Sequence, residues 1–219
     1  MENKKIVRRN MPVKYESKPV YEFFKRVFDI IMSSIGLIVL SPVFLIVAIL
    51  VKLDGGPVFF KQTRVGKGGK TFNFYKFRSM IVGADSPEML QKLAALNEVD
   101  GPAFKIKDDP RITKVGKFIR KASLDELPQL YNILKNDMTI VGPRPALVHE
   151  VERYDEYQAQ RLLVKQGLTC FWQCSGRSNI SFDEWVELDL DYIEQRSFWT
   201  DIKIILKTVP AVLTGKGAS

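Results

Sequence analysis

Histidine and cysteine are almost absent from this chain of 219 residues. His149 is the single histidine, and Cys170 and Cys174 are the two cysteines. One histidine leaves almost no room for a histidine-based triad or metal cluster, and two cysteines are too few for a disulfide framework or a four-ligand zinc site. We therefore expect any acid, base or nucleophile in this protein to be a carboxylate.

The chain also has fewer acidic than basic residues. It contains 25 aspartates and glutamates and 33 lysines and arginines, which gives a net charge of +8. This balance suits anionic lipid headgroups, phosphorylated substrates or nucleic acid. Nucleic acid is the weakest of the three, because the basic residues cluster beside an apolar segment and no base-stacking module or base-reading helix can be recognised. We expect no nucleic-acid partner.

A long apolar run extends from Ile30 to Val51, with the sequence IIMSSIGLIVLSPVFLIVAILV and no charged residue. As a straight helix, these 22 residues would just span a hydrocarbon core of about 30 Å. Lysine and arginine are abundant on both sides of the run, however, and positive residues mark the cytoplasmic side of a membrane segment. The flanks therefore argue against a simple crossing.

Ser41-Pro42 interrupts this run near its middle. Proline removes a backbone hydrogen bond and bends a helix, and the Ser41 hydroxyl can bind a carbonyl that the bend leaves unpaired. The pattern favours a re-entrant helix that enters the bilayer, breaks at Ser41-Pro42 and returns to the same face. A single crossing and a buried helix of a soluble protein remain the alternatives.

The remainder of the chain predicts an α+β fold that is mainly helical. Apolar and polar residues alternate over 57–66 and 70–80 around a glycine-rich turn, which is typical of a β-hairpin. Helical patterns follow at 87–96, 114–121, 124–135, 146–165, 183–194 and 199–213, the last of them amphipathic. We divide the chain into a basic N-terminal segment expected to be mobile (1–20), a re-entrant membrane helix (21–53) and a cytoplasmic catalytic domain (54–219).

Two adjacent carboxylates, Asp125 and Glu126, lie at the start of one predicted helix. Ser123 followed by Glu126 matches a capping box, which would put Asp125 in the first turn, where free amides and the helix dipole lower the pKa of a carboxylate. Such acids are ordinary stabilisers, so a structural role explains the motif by itself. The nearby cations change that balance; they are Arg111, Lys114, Lys117, Arg120 and Lys121. An ionised aspartate among cations, beside a membrane element, can act as a nucleophile or Mg²⁺ ligand toward a phosphate.

Four motifs make the chain resemble a known family, the monotopic phosphoglycosyl transferases or bacterial sugar transferases. The motifs are KFRSM at 76–80, FIRKASLDELPQL at 118–130, DMTIVGPRP at 137–145 and GRSN at 176–179. The resemblance extends from about Phe23 to Leu213, and the motifs together are highly specific. It implies the compact catalytic form of the family and a re-entrant helix broken at Ser-Pro, which matches Ser41-Pro42. The segment at about 83–107 is longer than in the shortest members, and no role is assigned to it.

The resemblance also implies a reaction. A phosphosugar would pass from a nucleoside diphosphate sugar, expected to be a UDP-sugar, to polyprenyl (undecaprenyl) phosphate at the cytoplasmic face of the bacterial membrane, with Mg²⁺ as cofactor. Asp125 would attack the sugar-proximal phosphorus, expel a nucleoside monophosphate and form an aspartyl phosphosugar, which polyprenyl phosphate would then attack. The product would initiate synthesis of an exopolysaccharide, a capsule or another glycoconjugate.

Individual residues acquire expected roles from this resemblance. Asp125 and Glu126 are the catalytic pair; Asp125 also binds Mg²⁺, and Glu126 orients groups or handles a proton. The expected phosphate-binding cations are Lys76, Arg120, Arg144 and Arg177. Arg144 stands between two prolines that fix its backbone, and a guanidinium binds phosphate oxygens in a bidentate way. Asp189 matches a recurrent acid of the family, although its acidic neighbours suggest a solvated helix face.

Two other classes of function fit parts of the sequence. A membrane-anchored phosphatase or nucleotidase would use Asp125 and need no lipid acceptor, but no Asp-x-Asp motif follows an apolar strand here. A non-catalytic scaffold that binds anionic lipid would leave the Asp-Glu pair, the basic cluster and Pro-Arg-Pro unexplained together. The sequence leaves open which sugar is transferred and whether the chain forms a homodimer.

Overall fold

A computed structural model describes residues 11–96, 106, 108–174 and 180–213. The α-helices are α1 (Pro19–Val39), α2 (Ser41–Leu53), α3 (Pro87–Leu93), α4 (Lys114–Lys121), α5 (Gln129–Leu134), α6 (Val148–Val151), α7 (Glu156–Ala159), α8 (Phe171–Cys174), α9 (Phe182–Gln195) and α10 (Phe198–Leu213). The strands are β1 (Phe59–Val65), β2 (Thr71–Phe77), β3 (Thr139–Val141), β4 (Ala146–Leu147) and β5 (Gly167–Thr169). The predicted α+β, mainly helical fold is confirmed.

The apolar run forms two helices, α1 and α2, which meet at Leu40 with a bend of 61°. Pro42 lacks the N–H that would bind the Ile38 carbonyl in a continuous helix, and the Ser41 hydroxyl donates to that carbonyl instead at 2.7 Å. The predicted break is confirmed. Among the described residues no single helix is both long enough and apolar enough to cross a membrane; α1 and α2 reach that length and hydropathy only when taken together.

The predicted hairpin is also confirmed, and it carries the first site residue. Strands β1 and β2 pair antiparallel, with Phe60 opposite Lys76, and β4 pairs with the other edge of β1. Gly68 and Gly69 occupy the turn at φ values of +65° and +79°, which glycine adopts without steric cost. Because side chains alternate across a strand, Lys76 lies on the same face as buried Phe74.

Two polar side chains of α1 attach this helix to the rest of the domain. Buried Asp29 accepts hydrogen bonds from the Thr139 hydroxyl at 2.6 Å and from the Ile140 amide at 3.0 Å. The Arg26 guanidinium donates to the two carbonyls at the end of α5 at 2.7 and 2.8 Å, where a helix favours a cation. Helix α1 is thus attached to both β3 and α5.

The end of α2 is held by a second attachment. Buried Arg78, which follows β2, donates to the carbonyls of Val51 at 2.8 Å and Pro57 at 2.7 Å, and also binds the Gly55 carbonyl. In the same region, Val51 packs with Phe77 and Ile119 in one hydrophobic cluster. Both ends of the apolar run are therefore joined to one domain, and α2 lies directly against β2 and α4.

The region 124–135 differs from the predicted single helix. A 3₁₀ turn covers Leu124–Glu126, and α5 begins only at Gln129. Ser123 has a left-handed backbone with φ +54°, and its side chain makes no capping hydrogen bond. The predicted capping box is therefore wrong: the chain reverses at Ser123 after α4, whereas an N-cap residue needs an extended backbone.

The other predicted helices agree with the structure to different degrees. The helix predicted at 114–121 is α4 itself, and the one at 87–96 is α3 followed by a 3₁₀ turn. The stretch 146–165 is divided among β4, α6, α7 and a further 3₁₀ turn. In α10, Ile204 belongs to the core, while Trp199 and Leu206 are 72% and 66% exposed, so this helix has both an internal and an outer apolar face.

Residues 11–18 belong to the segment that we expected to be mobile, but they lie against the domain. The Val13 amide donates to Gln160 at 2.5 Å, and the Lys18 ammonium donates to the Arg196 carbonyl at 3.0 Å. Val13 also packs on the hydrophobic cluster that contains α9 and α10. These contacts attach part of the segment to the domain, and its mobility stays a prediction. Residues 1–10 lie outside the described ranges.

Candidate active site

The 3₁₀ turn Leu124–Glu126 places the two adjacent carboxylates beside the hairpin. Leu124 and Leu127 pack into the cluster formed by α2, α4 and β2, and the Leu127 amide donates to the Leu124 carbonyl at 3.2 Å. These leucines fix the turn from the core side. Asp125 is consequently buried, and Glu126 is only partly covered.

Lys76 connects the two carboxylates. Its ammonium lies 2.8 Å from a carboxylate oxygen of Glu126 and 3.4 Å from one of Asp125. The Asp125 side chain is 8% exposed, against 19% for Lys76 and 25% for Glu126, so the group opens to solvent on the lysine and glutamate side. Three of the residues predicted from sequence therefore meet at one point.

The pKa of Asp125 is shifted in the direction opposite to the prediction. Burial raises its pKa above the ordinary value of an aspartate, and the charge of Glu126 raises it further; Lys76 and Arg120 oppose the rise. The expected lowering by a helix N-terminus is wrong, because the residue stands in a 3₁₀ turn within the core. Arg120, in the last turn of α4, thus acts on Asp125 as the sequence suggested.

Arg64 is a site residue that our sequence analysis missed. Its guanidinium lies 5.3 Å from the centroid of the Phe74 ring, to which the Lys76 ammonium is also close at 5.7 Å. Burial, and then the charge of Arg144, lower the pKa of Arg64 to about 10, so it stays protonated at neutral pH. The signal was present in the strand alternation, which puts Arg64 on the Lys76 face of the hairpin.

Arg144 lies in the loop between β3 and β4. Its guanidinium is 5.9 Å from the ring centroid of Trp172. Arg64 donates to the Pro145 carbonyl at 3.0 Å and its pKa responds to both Arg144 and Glu126. Arg144 therefore lies close enough to Arg64 for its charge to act on that guanidinium.

Asp189 belongs to a different buried arrangement. It is fully buried in α9 and forms an ion pair with Arg161 at 2.7 Å. Glu187 is buried too and accepts a hydrogen bond from the Tyr157 hydroxyl at 2.6 Å, so the suggestion of a solvated helix face is wrong. Arg161 also lies 4.6 Å from the Trp185 ring centroid, which makes this an internal aromatic and ionic cluster.

The remaining expectations concern Arg177 and the metal. Arg177 lies outside the described residues, so its predicted role stays a prediction. No three histidine, cysteine or carboxylate side chains form a metal cluster within the ranges that the structure covers. Asp125 and Glu126 nevertheless fit Mg²⁺, which usually takes one or two protein carboxylates and completes its shell with substrate phosphates and water.

The family assignment follows from comparison with known proteins. Residues 20–215 match the sequence profile of the bacterial sugar transferases, and the chain belongs to that family. The resemblance drawn from the four motifs is thereby confirmed.

Relatives with known names include galactosyl transferase CpsE of Streptococcus agalactiae, which is 52% identical over 195 residues covering 89% of this chain and 43% of that protein. The undecaprenyl-phosphate galactose phosphotransferase of Salmonella typhimurium is 46% identical, with coverage of 90% and 42%. The exopolysaccharide production protein ExoY of Sinorhizobium fredii is 42% identical, with coverage of 92% and 90%. The chain thus spans less than half of the first two relatives and most of the third.

Proposed function

We propose that this chain transfers a phosphosugar from a nucleoside diphosphate sugar to polyprenyl phosphate through a covalent intermediate on Asp125. One observation carries the proposal: a buried aspartate is bridged by Lys76 to a second carboxylate, and the positive charge of Arg120 acts on the same aspartate. A carboxylate that attacks phosphorus must stay ionised while a highly charged diphosphate approaches. Nearby cations favour the ionised carboxylate and attract the diphosphate.

The first step would form the intermediate. A carboxylate oxygen of Asp125 attacks the sugar-proximal phosphorus, the bond from that phosphorus to the bridging oxygen breaks, and a nucleoside monophosphate leaves with that oxygen. Burial makes the ionised carboxylate more basic than in water, and Lys76 keeps enough of it ionised to react. Glu126 orients Lys76 through their contact of 2.8 Å.

The second step would regenerate the enzyme. A phosphate oxygen of polyprenyl phosphate attacks the same phosphorus, the acyl phosphate bond breaks, and Asp125 leaves as a carboxylate. Arg64, Arg120 and Arg144 supply the positive charge that both phosphate substrates require, and Arg177 stays an expected contributor. When bound at Asp125 and Glu126, Mg²⁺ would neutralise diphosphate charge and support the leaving group.

The acceptor is a lipid, and the position of α1 and α2 supports membrane attachment on one face. Their broken region exposes large apolar side chains to the surroundings, among them Ile38, Leu45 and Ile46. Asp29 holds the start of the apolar run to β3, and Arg78 holds its end beside β2. Because both ends of the apolar run are joined to one domain, the run is better suited to a re-entrant segment than to a crossing. The domain would then lie on the cytoplasmic side of the membrane.

Labelling tests this topology. We would replace both native cysteines by serine, introduce Met11→Cys or Lys70→Cys at exposed positions, and apply a membrane-impermeant maleimide to cells and inverted vesicles. A re-entrant segment predicts labelling of both sites only from the cytoplasmic side. Labelling of Met11→Cys from outside would establish a crossing instead.

The reaction is tested with purified chain, Mg²⁺, a panel of nucleotide sugars and undecaprenyl phosphate. The relatives include an N-acetylgalactosaminephosphotransferase of Aeromonas hydrophila besides the galactose enzymes, so the panel begins with UDP-galactose and UDP-N-acetylgalactosamine. We expect net formation of polyprenyl diphosphosugar with release of nucleoside monophosphate, and neither in Asp125→Asn. Release of inorganic phosphate or sugar phosphate without acceptor would favour the phosphatase class.

A further inference from the structure

A second concentration of positive charge surrounds a cavity of about 220 Å³ that lies between α1, the hairpin turn and the segment before β5. We call it the basic cavity. Its charged lining residues are Glu22, Lys25, Arg26, Asp29, Lys67, Lys165 and Arg196. None of them is a residue of the candidate active site, which lies toward the opposite end of β2 from the hairpin turn.

Several of these charges are already used by the fold. Lys25 forms an ion pair with Asp201 at 2.6 Å, and both oxygens of Asp29 accept hydrogen bonds from β3. Arg26 is bound to the end of α5, and Arg196 donates to the Ile193 carbonyl at 2.7 Å. These groups shape the cavity and hold it rigid.

Lys67 and Lys165 are the two cations whose charge is poorly balanced. The nearest carboxylate to Lys67 is Glu22 at 4.0 Å, and Glu22 is shared with Arg196 at 3.7 Å. Lys165 donates to the Asn136 amide oxygen and forms no ion pair among the residues that the structure describes. The cavity therefore carries an excess of positive charge over the carboxylates that line it.

The pKa of Lys165 reflects this excess of positive charge. Burial lowers the pKa of its ammonium, and the charges of Arg26, Lys67 and Lys25 lower it further, while Asp29 opposes the change. An anion in the cavity would remove that mutual repulsion. Phosphate is suited to the space, because its oxygens can accept from two lysines at once.

We propose that the basic cavity binds a phosphate group, and that the phosphodiester of an anionic phospholipid headgroup supplies it. The position in the sequence favours this source: Lys25 and Arg26 precede the apolar run at Ile30 by four or five residues, or about 8 Å of helix. If that run lies in the bilayer, as the proposed topology holds, the cavity lies at headgroup depth. The bound lipid would then fix the height of α1 at the membrane surface.

The test uses the full chain in uncharged detergent and measures binding by calorimetry at constant ionic strength. The ligands are short-chain phosphatidylglycerol, phosphatidylcholine of the same chain length, and inorganic phosphate. The cavity variant is Lys67→Gln/Lys165→Gln, which keeps polar side chains. Its matched control is Lys61→Gln/Lys92→Gln, which removes the same charge from exposed positions of β1 and α3.

We expect phosphatidylglycerol to bind the wild type but phosphatidylcholine to bind weakly, with affinity for phosphatidylglycerol falling at least about tenfold in the cavity variant and little in the control. If only inorganic phosphate binds, and its affinity falls in the cavity variant, the cavity is a phosphate site but the phospholipid is not its source of phosphate. Equal losses in both variants, or no binding of any phosphate ligand, would overturn the site itself.

Transfer activity separates this proposal from the proposed function. The cavity variant should retain wild-type transfer to polyprenyl phosphate in detergent, because its two lysines do not contact the reacting groups. If the wild type shows no transfer while the lipid affinities are as expected, the proposed function is refuted and the proposed lipid site is kept. If transfer is normal and lipid binding is unchanged in the cavity variant, the proposed lipid site is refuted and the proposed function is kept.

Discussion

Lys76→Gln is the perturbation whose effect the structure defines most clearly. The ammonium lies 3.4 Å from Asp125, and at an effective dielectric constant of about 20 two such charges attract by about 5 kcal/mol. Solvent at the partly exposed lysine reduces this figure, and Arg120 still acts on Asp125 after the substitution. We therefore expect the pKa of Asp125 to rise further in this variant, because the largest charge that opposes the effect of burial is removed.

The assay is the pH dependence of kcat/KM for transfer. Asp125 reacts only when ionised, so the rate falls as the pH drops through its pKa. Burial and Glu126 have already raised that pKa, and loss of Lys76 leaves their effect less opposed. The acidic limb of the profile should move to higher pH, and alkaline pH should restore part of the rate. Lys61→Gln, on the other face of β1, should leave the limb in place.

Two results would refute this reasoning. A uniform loss of rate at every pH, with the acidic limb unmoved, would make Lys76 a substrate-binding residue that does not control Asp125. A profile identical to that of the wild type would show that the contact has no effect on catalysis. Unfolding adds an independent check: because the folded-state pKa of Asp125 is raised, its ionisation destabilises the fold as the pH rises above the ordinary range of a carboxylate. Lys76→Gln should enlarge that loss of stability and extend it to higher pH.

Three further predictions concern other parts of the molecule. Arg144→Lys should lower the transfer rate at least tenfold, about 1.4 kcal/mol, without a change in melting temperature, whereas Arg153→Lys at an exposed position should have no effect on either. Asp189→Asn should lower the free energy of unfolding by about 3–5 kcal/mol, because it leaves buried Arg161 without its carboxylate partner; unchanged stability with lost turnover would instead support a functional role for this acid, as the family resemblance suggests. Pro42→Leu restores a backbone hydrogen bond and should straighten the helix, so that a cysteine in the N-terminal tail becomes reactive from outside the cell; exclusively cytoplasmic labelling would show that the proline does not set the topology.

Local chemistry explains which parts of the fold could be predicted from the sequence. The hairpin follows from strict alternation around glycines, α4 from helical periodicity, and the break at Leu40 from the missing N–H of Pro42. Each of these depends on neighbours in the chain. The grouping of Lys76 with Asp125 was not a local inference: it came from the resemblance to the family and agrees with the geometry observed here.

Tertiary contacts explain the rest. The sequence around Ser123 matches a capping box, but the left-handed backbone at that residue depends on how α4 turns back toward β2. Leu124 and Leu127, beside Asp125, pack against α2, which is far away in sequence. The burial of Asp125 reverses the sign of its predicted pKa shift. Asp189 similarly finds Arg161 at a separation of 28 residues, which no helical pattern could indicate.

Direct detection of the intermediate tests the central claim. The purified chain would be incubated with Mg²⁺ and the nucleotide sugar that supports transfer, without polyprenyl phosphate, then quenched and digested for mass spectrometry. The account predicts one phosphosugar on the peptide that contains Asp125, formed with an equal amount of nucleoside monophosphate and discharged when polyprenyl phosphate is added. Transfer that proceeds normally with no such adduct, or with the adduct on another residue, would contradict it.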